Sequence, residues 1–358
     1  MSRDRAKPEL VSPRLSWSSR THATQSLRER QLMSDTIGRR ATVLVPGYLH
    51  PRAVARVDST FELVRIDRAD PSLIDARMSG DIRGIASMTG IEAAFIDALP
   101  KLEIIASMGV GYDSVDARHA ASRGVLVTNT PDVLTEEVAD TTIGLLINTV
   151  RELPRAEAWL RDGRWVSEGA YRLTSGSLRG RKAGIFGMGR IGQAVARRLE
   201  AFGLTVAYHN RRPVEDVGYE YHATLHSLAT AVDTLISIAP GGAGTEKAVN
   251  AHILEALGPN GVFINIGRGS TVDEPALISA LSRGVIRSAG LDVFTDEPRV
   301  PQALIDLPNA CLLPHVGSAS VHTREAMADL TVDNLVSWFE GKGPLTPVAE
   351  TRHLLNRA

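Results

Sequence analysis

Short apolar runs alternate with segments of helical periodicity along most of the chain from Ala41 onward. Runs of this length, rich in Val and Ile, are typical of strands buried on both faces of a parallel sheet. The strand candidates of the first part are Thr42–Pro46, Glu62–Ile66, Gly84–Met88, Leu102–Met108 and Val125–Asn129. Helical patterns, such as Ile91–Leu99, separate them. This alternation predicts an α/β fold with crossover helices.

A long helix is predicted next, with Thr135 as its N-cap and two acidic residues in its first turn. Its apolar positions are Val138, Leu146, Val150 and Leu153. We expect it to stop near Pro154 and to cross between two domains. The polar segment Arg155–Gly180 that follows is predicted to be an extended connection with some helix, lying on a neighbouring subunit.

The alternation of strands and helices then resumes. The second set of strand candidates is Ala183–Phe186, Leu204–Tyr208, Thr234–Ile238, Val262–Ile266, Ala289–Val293 and Cys311–Leu313. A final helix, Thr323–Phe339, has apolar positions at Ala326, Leu330, Leu335 and Val336. The chain therefore reads as two successive doubly wound parallel sheets.

One strand-to-helix turn carries three glycines in the pattern G-x-G-x-x-G, namely Gly187, Gly189 and Gly192. The first glycine makes the turn, the second lets the backbone approach a pyrophosphate, and the third lets helix pack on strand. The helix start, at Arg190 and Ile191, offers free N–H groups and a positive dipole. Glycines also mark ordinary turns, but this strand–turn–helix–strand context favours a dinucleotide site.

The next strand is followed by Asn210, Arg211 and Arg212, where NAD enzymes usually keep an acidic residue. The missing carboxylate removes repulsion towards a ribose 2′-phosphate, and the arginines supply attraction. At about 4 Å and an effective dielectric of about 20, one such pair contributes up to ~4 kcal/mol before desolvation. NADP(H) is therefore favoured, with NAD(H) still possible; the alternative is that both arginines are solvated loop residues.

Composition narrows the class of protein. The 358 residues allow two domains, and 43% hydrophobic with 23% charged residues is typical of a globular chain. A net charge of −1 argues against nucleic acid or an anionic membrane as partner, and no apolar run has the length of a membrane span. The single cysteine, Cys311, fits a reducing compartment, so we expect a cytoplasmic protein. No Cys/His cluster has metal-ligand spacing, so no metal is predicted.

Residues 1–40 differ from the rest because they are rich in Arg and Ser and lack apolar periodicity. A transit peptide is one interpretation, but Asp4, Glu9 and Glu29 argue against it. We expect a disordered N-terminal extension, with the natural start at Met33.

Polar residues follow three strands of the second set. Arg268 comes after Val262–Ile266, and His315 follows Cys311–Leu313. Asp292 lies at the end of Ala289–Val293, and Glu297 comes five residues later, just before Pro298. In a doubly wound sheet, ligands bind beyond the carboxyl ends of the strands, so these side chains should lie beside the glycine turn.

This combination suits hydride transfer to a 2-keto acid. His315 is the natural proton donor, and Glu297 can hold its other ring nitrogen. Arg268 can bind the carboxylate and polarise the carbonyl, at roughly 1.5–3 kcal/mol per hydrogen bond. Each residue alone has an ordinary structural explanation. The N–H groups of Val110 and Gly111, in a second glycine turn, are a further candidate carboxylate site.

The chain resembles the D-isomer-specific 2-hydroxyacid dehydrogenase family, and within it the glyoxylate/hydroxypyruvate reductases. The stretches that carry the resemblance are SMGVGYDSVD, TPDVLTEEVADTTIGLLIN, GIFGMGRIGQAVARRL, FINIGRGSTVDEPAL, GLDVFTDEP and LPHVGSAS. The resemblance implies two Rossmann-like doubly wound domains and a homodimer. Residues 41–134 with 319–347 would form a flavodoxin-like substrate-binding domain, and residues 135–318 the NAD(P)-binding Rossmann domain.

The resemblance also implies roles for individual residues. The catalytic set would be Arg268, Glu297 and His315, and the substrate contacts Val110, Gly111, Arg268, Gly317 and Ser318. The cofactor contacts would be Gly187, Gly189, Arg190, Ile191, Gly192, Asn210, Arg211, Arg212, Pro240, Ile266, Asp292 and Gly317, with Asp292 facing the nicotinamide carboxamide. The glycine-rich segment after Pro240 departs from the family's usual pattern.

The leading hypothesis is therefore an NADPH-preferring reductase of glyoxylate, hydroxypyruvate or similar small 2-keto acids, giving D-2-hydroxy acids. One alternative is a relative that acts on D-3-phosphoglycerate or formate. Another is a nucleotide-sensing protein like the transcriptional corepressors that share this fold. The sequence does not distinguish the substrate side chain.

Overall fold

The computed structural model of the protein describes residues 40–356. The predictions for the N-terminal extension and for a start at Met33 lie outside this part of the chain. Between residues 40 and 356, no helix is both long enough and apolar enough to cross a membrane.

Twelve strands occur within the described residues. In chain order they are β1 Thr42–Pro46, β2 Glu62–Ile66, β3 Ile82–Ser87, β4 Ile104–Ser107, β5 Leu126–Thr128, β6 Lys182–Phe186, β7 Thr205–His209, β8 Glu220–His222, β9 Thr234–Ser237, β10 Val262–Asn265, β11 Ser288–Leu291 and β12 Ala310–Leu312. Eleven of them coincide with predicted strands to within a few residues. The short strand β8 was not predicted.

The helices cover both faces of the sheets. They are α1 Pro51–Thr60, α2 Ala76–Asp81, α3 Ala93–Asp97, α4 Ala117–Ser122, α5 Thr135–Arg151, α6 Leu153–Arg161, α7 Arg164–Ser167, α8 Arg190–Ala201, α9 Leu225–Ala231, α10 Ala251–Leu257, α11 Glu274–Ser282, α12 Gln302–Ile305 and α13 Val321–Phe339. Short 3-10 turns occur at Pro71–Leu73, Gly269–Thr271 and Arg352–Asn356.

The strands form two entirely parallel sheets, which confirms the predicted fold class. The first has the order β2-β1-β3-β4-β5, and the second β12-β11-β10-β9-β6-β7-β8. In the second sheet β6 pairs with both β7 and β9, so the strand order reverses beside β6. Ligands of doubly wound sheets bind at such a reversal, and the glycine turn follows β6 directly.

Helix α5 packs so closely on the second sheet that one strand position has room only for glycine. A Cβ added to Gly290 on β11 would lie 2.4 Å from Thr149 Oγ1 and 2.9 Å from Leu145 Cγ, both on α5. By contrast, a Cβ at Gly144, on the exposed side of α5, would meet no atom within 4 Å.

We expect Gly290→Ala to lower the free energy of unfolding by about 1–3 kcal/mol, because the added methyl overpacks the helix–sheet contact. Gly144→Ala should instead raise it by roughly 0.5–1 kcal/mol, because alanine loses less backbone entropy in a helix. Thermal denaturation of the two variants, with the midpoints compared to wild type, tests both expectations. Equal midpoints would contradict the packing described for α5.

The chain passes between the two sheets twice, once between β5 and α5 and once between β12 and α13. Helix α13 then packs on the first sheet, where Leu335 Cδ2 and Phe339 Cε2 approach Gly84 of β3. The two crossings are joined to each other, since Thr323 Oγ1 donates to Glu137 Oε2 at 3.2 Å.

Some helix boundaries differ from the predictions. Leu134, not Thr135, occupies the N-cap position of α5, and no side chain caps that end. The helix ends at Arg151 because Glu152 adopts a left-handed conformation, with φ +53°. Pro154 therefore lies in the first turn of α6 instead of ending α5, and Leu153 is exposed.

The predicted apolar stripe of the last helix is only partly correct. The buried positions of α13 include Met327, Ala328, Val332 and Leu335, whereas Ala326 and Leu330 are only half-buried. Residues 155–180 contain the helical turns of α6 and α7, as expected for a connection with some helix.

Candidate active site

The glycine turn after β6 has the conformation that its three glycines predict. Gly187 has φ +108°, and a Cβ there would lie 2.8 Å from the backbone nitrogen of Ala239, just beyond the end of the adjacent strand β9. A Cβ on Gly192 would lie 2.3 Å from the carbonyl oxygen of Gly187, so only glycine lets α8 begin this close to the turn. Around Gly189, in contrast, the space is open.

This turn fits a dinucleotide pyrophosphate. Helix α8 begins at Arg190 with no side-chain cap on its first N–H groups, so those donors face the open side of Gly189. A backbone without a side chain at Gly189 leaves room for phosphate oxygens to approach. The residues present therefore match the requirements of an NAD(P) site.

The residues after β7 lie beside this turn. Asn210 Oδ1 accepts a hydrogen bond from Met188 N at 2.8 Å, so the asparagine orders the glycine turn itself. Arg211 and Arg212 are exposed and form no ion pair with any other residue of the described region. Two free guanidinium groups next to the turn agree with the predicted 2′-phosphate site.

Arg190 makes an ion pair with a residue that the sequence analysis did not single out. Its Nε lies 3.0 Å from Asp132 Oδ1, and both side chains are about two-thirds exposed. Asp132 has φ +70° and lies in the first crossing between the sheets. Exposed pairs of this kind contribute little to stability, so the arginine remains available to an anionic ligand.

His315 and Glu297 form a close pair at the carboxyl edge of the second sheet. His315 Nδ1 lies 2.6 Å from Glu297 Oε2, and Glu297 Oε1 accepts from Phe294 N at 3.0 Å. The pairing leaves Nε2 of the imidazole directed away from the carboxylate. The backbone of His315 is held in the left-handed region at φ +53°, which places the ring against Glu297.

The pKa of Glu297 is lowered. Burial opposes ionisation, but the hydrogen bonds from His315 and from the Phe294 N–H outweigh it, and the charge of Arg268 acts in the same direction. The stability that this pair contributes is therefore present above the pKa of an unfolded glutamate and is lost as pH falls through the lowered folded value. Glu297 therefore remains a carboxylate near neutral pH and can accept a hydrogen bond from the N–H of the His315 ring.

Asp292 anchors the loop that carries the histidine. It is almost fully buried, and its two oxygens accept from Val316 N at 2.7 Å and from Gly317 N at 2.8 Å. Burial raises the pKa of Asp292, with the two backbone N–H groups opposing that rise. The predicted contact of Asp292 with a nicotinamide carboxamide stays a prediction.

Arg268 extends from the end of β10 towards the turn that contains Val110 and Gly111. A Cβ on Gly111 would lie 1.5 Å from Arg268 Nη2, so the guanidinium runs directly along this glycine. Arg268 Nε also donates to Asp113 Oδ1 at 2.9 Å. The structure therefore brings the predicted carboxylate-binding arginine to the predicted carboxylate-binding turn.

The remaining predicted residues surround this group. Ile266 is buried, and its Cδ1 lies 3.5 Å from a Cβ placed on Gly317. Ser318 is half-buried in the histidine loop, and exposed Pro240 begins the loop after β9.

In residues 40–356, no cluster of three or more His, Cys, Asp or Glu side chains could hold a metal ion.

Two residues of the site were missed by sequence reasoning, Asp113 and Asp132. Each aspartate forms an ion pair with an arginine that belongs to the half of the molecule built on the second sheet. Asp113 lies in the quoted stretch SMGVGYDSVD, but no periodicity or spacing links it to an arginine 155 residues away.

A glycine turn at the reversal of a parallel sheet, with an Arg, Glu and His set at the carboxyl edge of the same sheet, defines a nicotinamide-dependent oxidoreductase. Residues 143–317 match the model of the D-isomer-specific 2-hydroxyacid dehydrogenase NAD-binding domain. The chain belongs to the D-isomer-specific 2-hydroxyacid dehydrogenase family, and it is an NAD(P)-dependent enzyme of that family.

Similar proteins agree with this assignment. The hydroxyphenylpyruvate reductase of Plectranthus scutellarioides is 46% identical over 296 residues, which cover 82% of this chain and 94% of the relative. Glyoxylate/hydroxypyruvate reductase A of Arabidopsis thaliana is 43% identical over 295 residues, with the same two coverages.

A solved structure is also similar over most of the chain. The NADPH-dependent glyoxylate/hydroxypyruvate reductase of Sinorhizobium meliloti, in complex with NADP and malonate, is 62% identical with a TM-score of 0.86. The similarity covers 87% of this chain and 98% of that one. These findings confirm the resemblance to the glyoxylate/hydroxypyruvate reductase branch, and they do not favour a phosphoglycerate dehydrogenase, formate dehydrogenase or corepressor.

Proposed function

We propose that the protein is an NADPH-preferring reductase of glyoxylate, hydroxypyruvate and closely similar 2-keto acids, and that it forms D-2-hydroxy acids. The observation that supports this most strongly is the meeting of Arg268 with the Gly111 turn, beside the His315–Glu297 pair. A cation for the carboxylate and a proton donor for the carbonyl oxygen then lie at one edge of the sheet.

In this proposal each side chain has one task. Bound NADPH supplies the hydride. Arg268 and the N–H groups of Val110 and Gly111 hold the substrate carboxylate, because charge-assisted hydrogen bonds are the strongest available there. His315 donates its Nε2 proton to the carbonyl oxygen, and Glu297 keeps the ring oriented through Nδ1. Asp292 holds the loop on which the histidine lies.

Initial rates test this proposal directly. Purified protein should oxidise NADPH faster than NADH with glyoxylate and hydroxypyruvate, and the product should be the D-isomer. Pyruvate and hydroxyphenylpyruvate complete the panel, since one relative is named for the aromatic substrate. Absence of NADPH oxidation with every 2-keto acid would overturn the proposal.

The basic residues after β7 predict the cofactor preference. We expect Arg211→Ala/Arg212→Ala to raise the KM for NADPH by about 10- to 100-fold, because charge-assisted bonds to the 2′-phosphate are lost. The KM for NADH should change little. Arg283→Ala, at an exposed arginine after α11, is the matched control. An equal change for both cofactors would show that these arginines do not select the phosphate.

We also propose a homodimer. The segment from α6 to residue 180 exposes several large apolar side chains, which are Leu160, Trp165, Val166 and Leu173, the last two 94% and 95% exposed. Exposed apolar groups that are contiguous in a segment are typical of an interaction surface. Glu152 holds the base of this segment through Arg155, Arg172 and the hydroxyl of Tyr171.

Val166→Asp/Leu173→Asp is therefore expected to convert a dimer to a monomer, because each change puts a charge into an apolar interface. Size-exclusion chromatography with light scattering measures the mass. Leu345→Asp, at a 54% exposed leucine outside this segment, should leave the dimer intact. A wild-type monomer would contradict the proposal.

The proposed division into domains follows the two sheets. Residues 41–134 and 319–347 contribute to the first sheet and its covering helix, and residues 135–318 carry the second. The burial of Val348 and Thr351 beside β5 supports extending the first domain slightly beyond residue 347.

The unpaired Cys311 supports a reducing compartment, and a cytoplasmic location is part of the proposal.

A further inference from the structure

Asp113 is the acidic residue that reaches Arg268 from the half of the molecule built on the first sheet. Its Oδ1 accepts from Arg268 Nε at 2.9 Å, and the two side chains are 31% and 29% exposed. Being mostly shielded from water, this pair is stronger than the exposed pairs elsewhere on the molecule. It joins Arg268 to the same turn that contains Gly111.

The second oxygen of Asp113 rests against Gly241, in the loop after β9. A Cβ added to Gly241 would lie 2.8 Å from Asp113 Oδ2 and 3.3 Å from Arg268 Cγ. The carboxylate therefore occupies a space that exists only because residue 241 has no side chain. This contact with the second half holds the carboxylate in one position.

The donors of the Arg268 guanidinium are used unequally. Nε donates to Asp113, and Nη1 donates to the carbonyl oxygen of Gly267 at 2.8 Å. Nη2, which lies along Gly111, has no acceptor among the residues that the structure describes. Two donors thus fix the plane of the guanidinium, and the free end points to the turn where a carboxylate would bind.

We propose that Asp113 is a positioning residue for the reaction, and this inference rests on the proposed reductase function. By accepting from Nε, Asp113 holds Arg268 with its Nη2 end towards the substrate carboxylate. Arginine loses considerable rotamer freedom when it is fixed, so a guanidinium oriented in advance binds an anion more tightly than a mobile one. Asp113 also carries a negative charge, but its ion pair with Arg268 Nε at 2.9 Å offsets the repulsion of a substrate anion.

The test compares Asp113→Ala, Asp113→Asn and Gly241→Ala in the full chain with NADPH and glyoxylate. We expect Asp113→Ala to raise the KM for glyoxylate by about 10- to 30-fold while kcat stays within about threefold. Asparagine keeps an acceptor oxygen, so Asp113→Asn should show a smaller rise. Gly241→Ala should raise KM without altering any charge, because its methyl group displaces the carboxylate.

Controls separate positioning from a general structural effect. The dissociation constant of NADPH and the thermal midpoint should change little in Asp113→Asn, and Asp58→Ala, at an exposed aspartate on α1, should resemble wild type. In an Arg268→Ala background, Asp113→Ala should add no further rise in KM. A KM for Asp113→Ala that is unchanged or lowered, or an asparagine variant no better than alanine, would overturn the inference. A wild-type enzyme that reduces no 2-keto acid would instead refute the proposed function.

Discussion

Replacing His315 by alanine is expected to lower kcat by about 10²- to 10⁴-fold, the usual contribution of a positioned general acid. His315 Nδ1 is held by Glu297 at 2.6 Å, which leaves Nε2 as the donor to the carbonyl oxygen. Saturating steady-state rates with glyoxylate and NADPH measure the loss. The dissociation constant of NADPH should stay near the wild-type value, because the histidine lies apart from the glycine turn.

Two further variants make the result interpretable. His226→Ala, at an exposed histidine on α9, should leave kcat unchanged. Glu297→Gln should lower kcat less than His315→Ala, because the amide still orients the ring but no longer stabilises its charged form. Undiminished turnover in His315→Ala would assign the proton donor to another group.

The second large effect is expected for Arg268→Ala. Loss of two charge-assisted hydrogen bonds to the substrate should lower kcat/KM by about 10²- to 10⁴-fold. Arg268→Lys should recover little, because an ammonium cannot reproduce the planar donor arrangement that contacts both Asp113 and the Gly111 turn.

A comparison of substrates with and without a carboxylate tests whether Arg268 binds that group. Glycolaldehyde has an aldehyde but no carboxylate, so Arg268→Ala should affect its slow reduction far less than that of glyoxylate. A loss of equal size for both compounds would mean that Arg268 acts on something other than the carboxylate. Arg283→Ala, at an exposed arginine after α11, serves as the control.

Most of the fold could be predicted because each strand carries its own signal. The apolar runs of β1 and β2 end at the same residues in sequence and structure, since turn-forming residues follow them. Strand β8 was not predicted because Glu220–His222 is three residues long and only partly buried. Hydrophobic periodicity cannot identify an edge strand of that kind.

Helix ends were harder to predict than helices. Threonine followed by two glutamates is the usual sign of an N-cap, yet the bend at Asp132 places Leu134 in that position. The left-handed Glu152 ends α5 before Pro154 is reached. Glu152 tolerates this conformation because its carboxylate is held by Arg155, Arg172 and Tyr171, which no local pattern reveals.

The residues of the site also divide into those that the sequence predicts and those that it does not. Arg268, Glu297 and His315 could be brought together from sequence because each follows a parallel strand, and all such ends share one edge. The ion pairs of Arg268 with Asp113 and of Arg190 with Asp132 join the two halves of the molecule. Their existence depends on how the sheets face each other, which is a property of tertiary packing.

The double passage of the chain between the sheets has a mechanical consequence. If the two halves rotated relative to each other, the two connected crossings would supply the axis. His315 and Glu297 both belong to the half built on the second sheet, so such a rotation would leave their distance unchanged. Asp113 and Arg268 belong to opposite halves, so the same rotation would separate them. The proton donor and its partner carboxylate would therefore stay together, whereas the binding site for the substrate carboxylate would be complete only when the two halves are in contact.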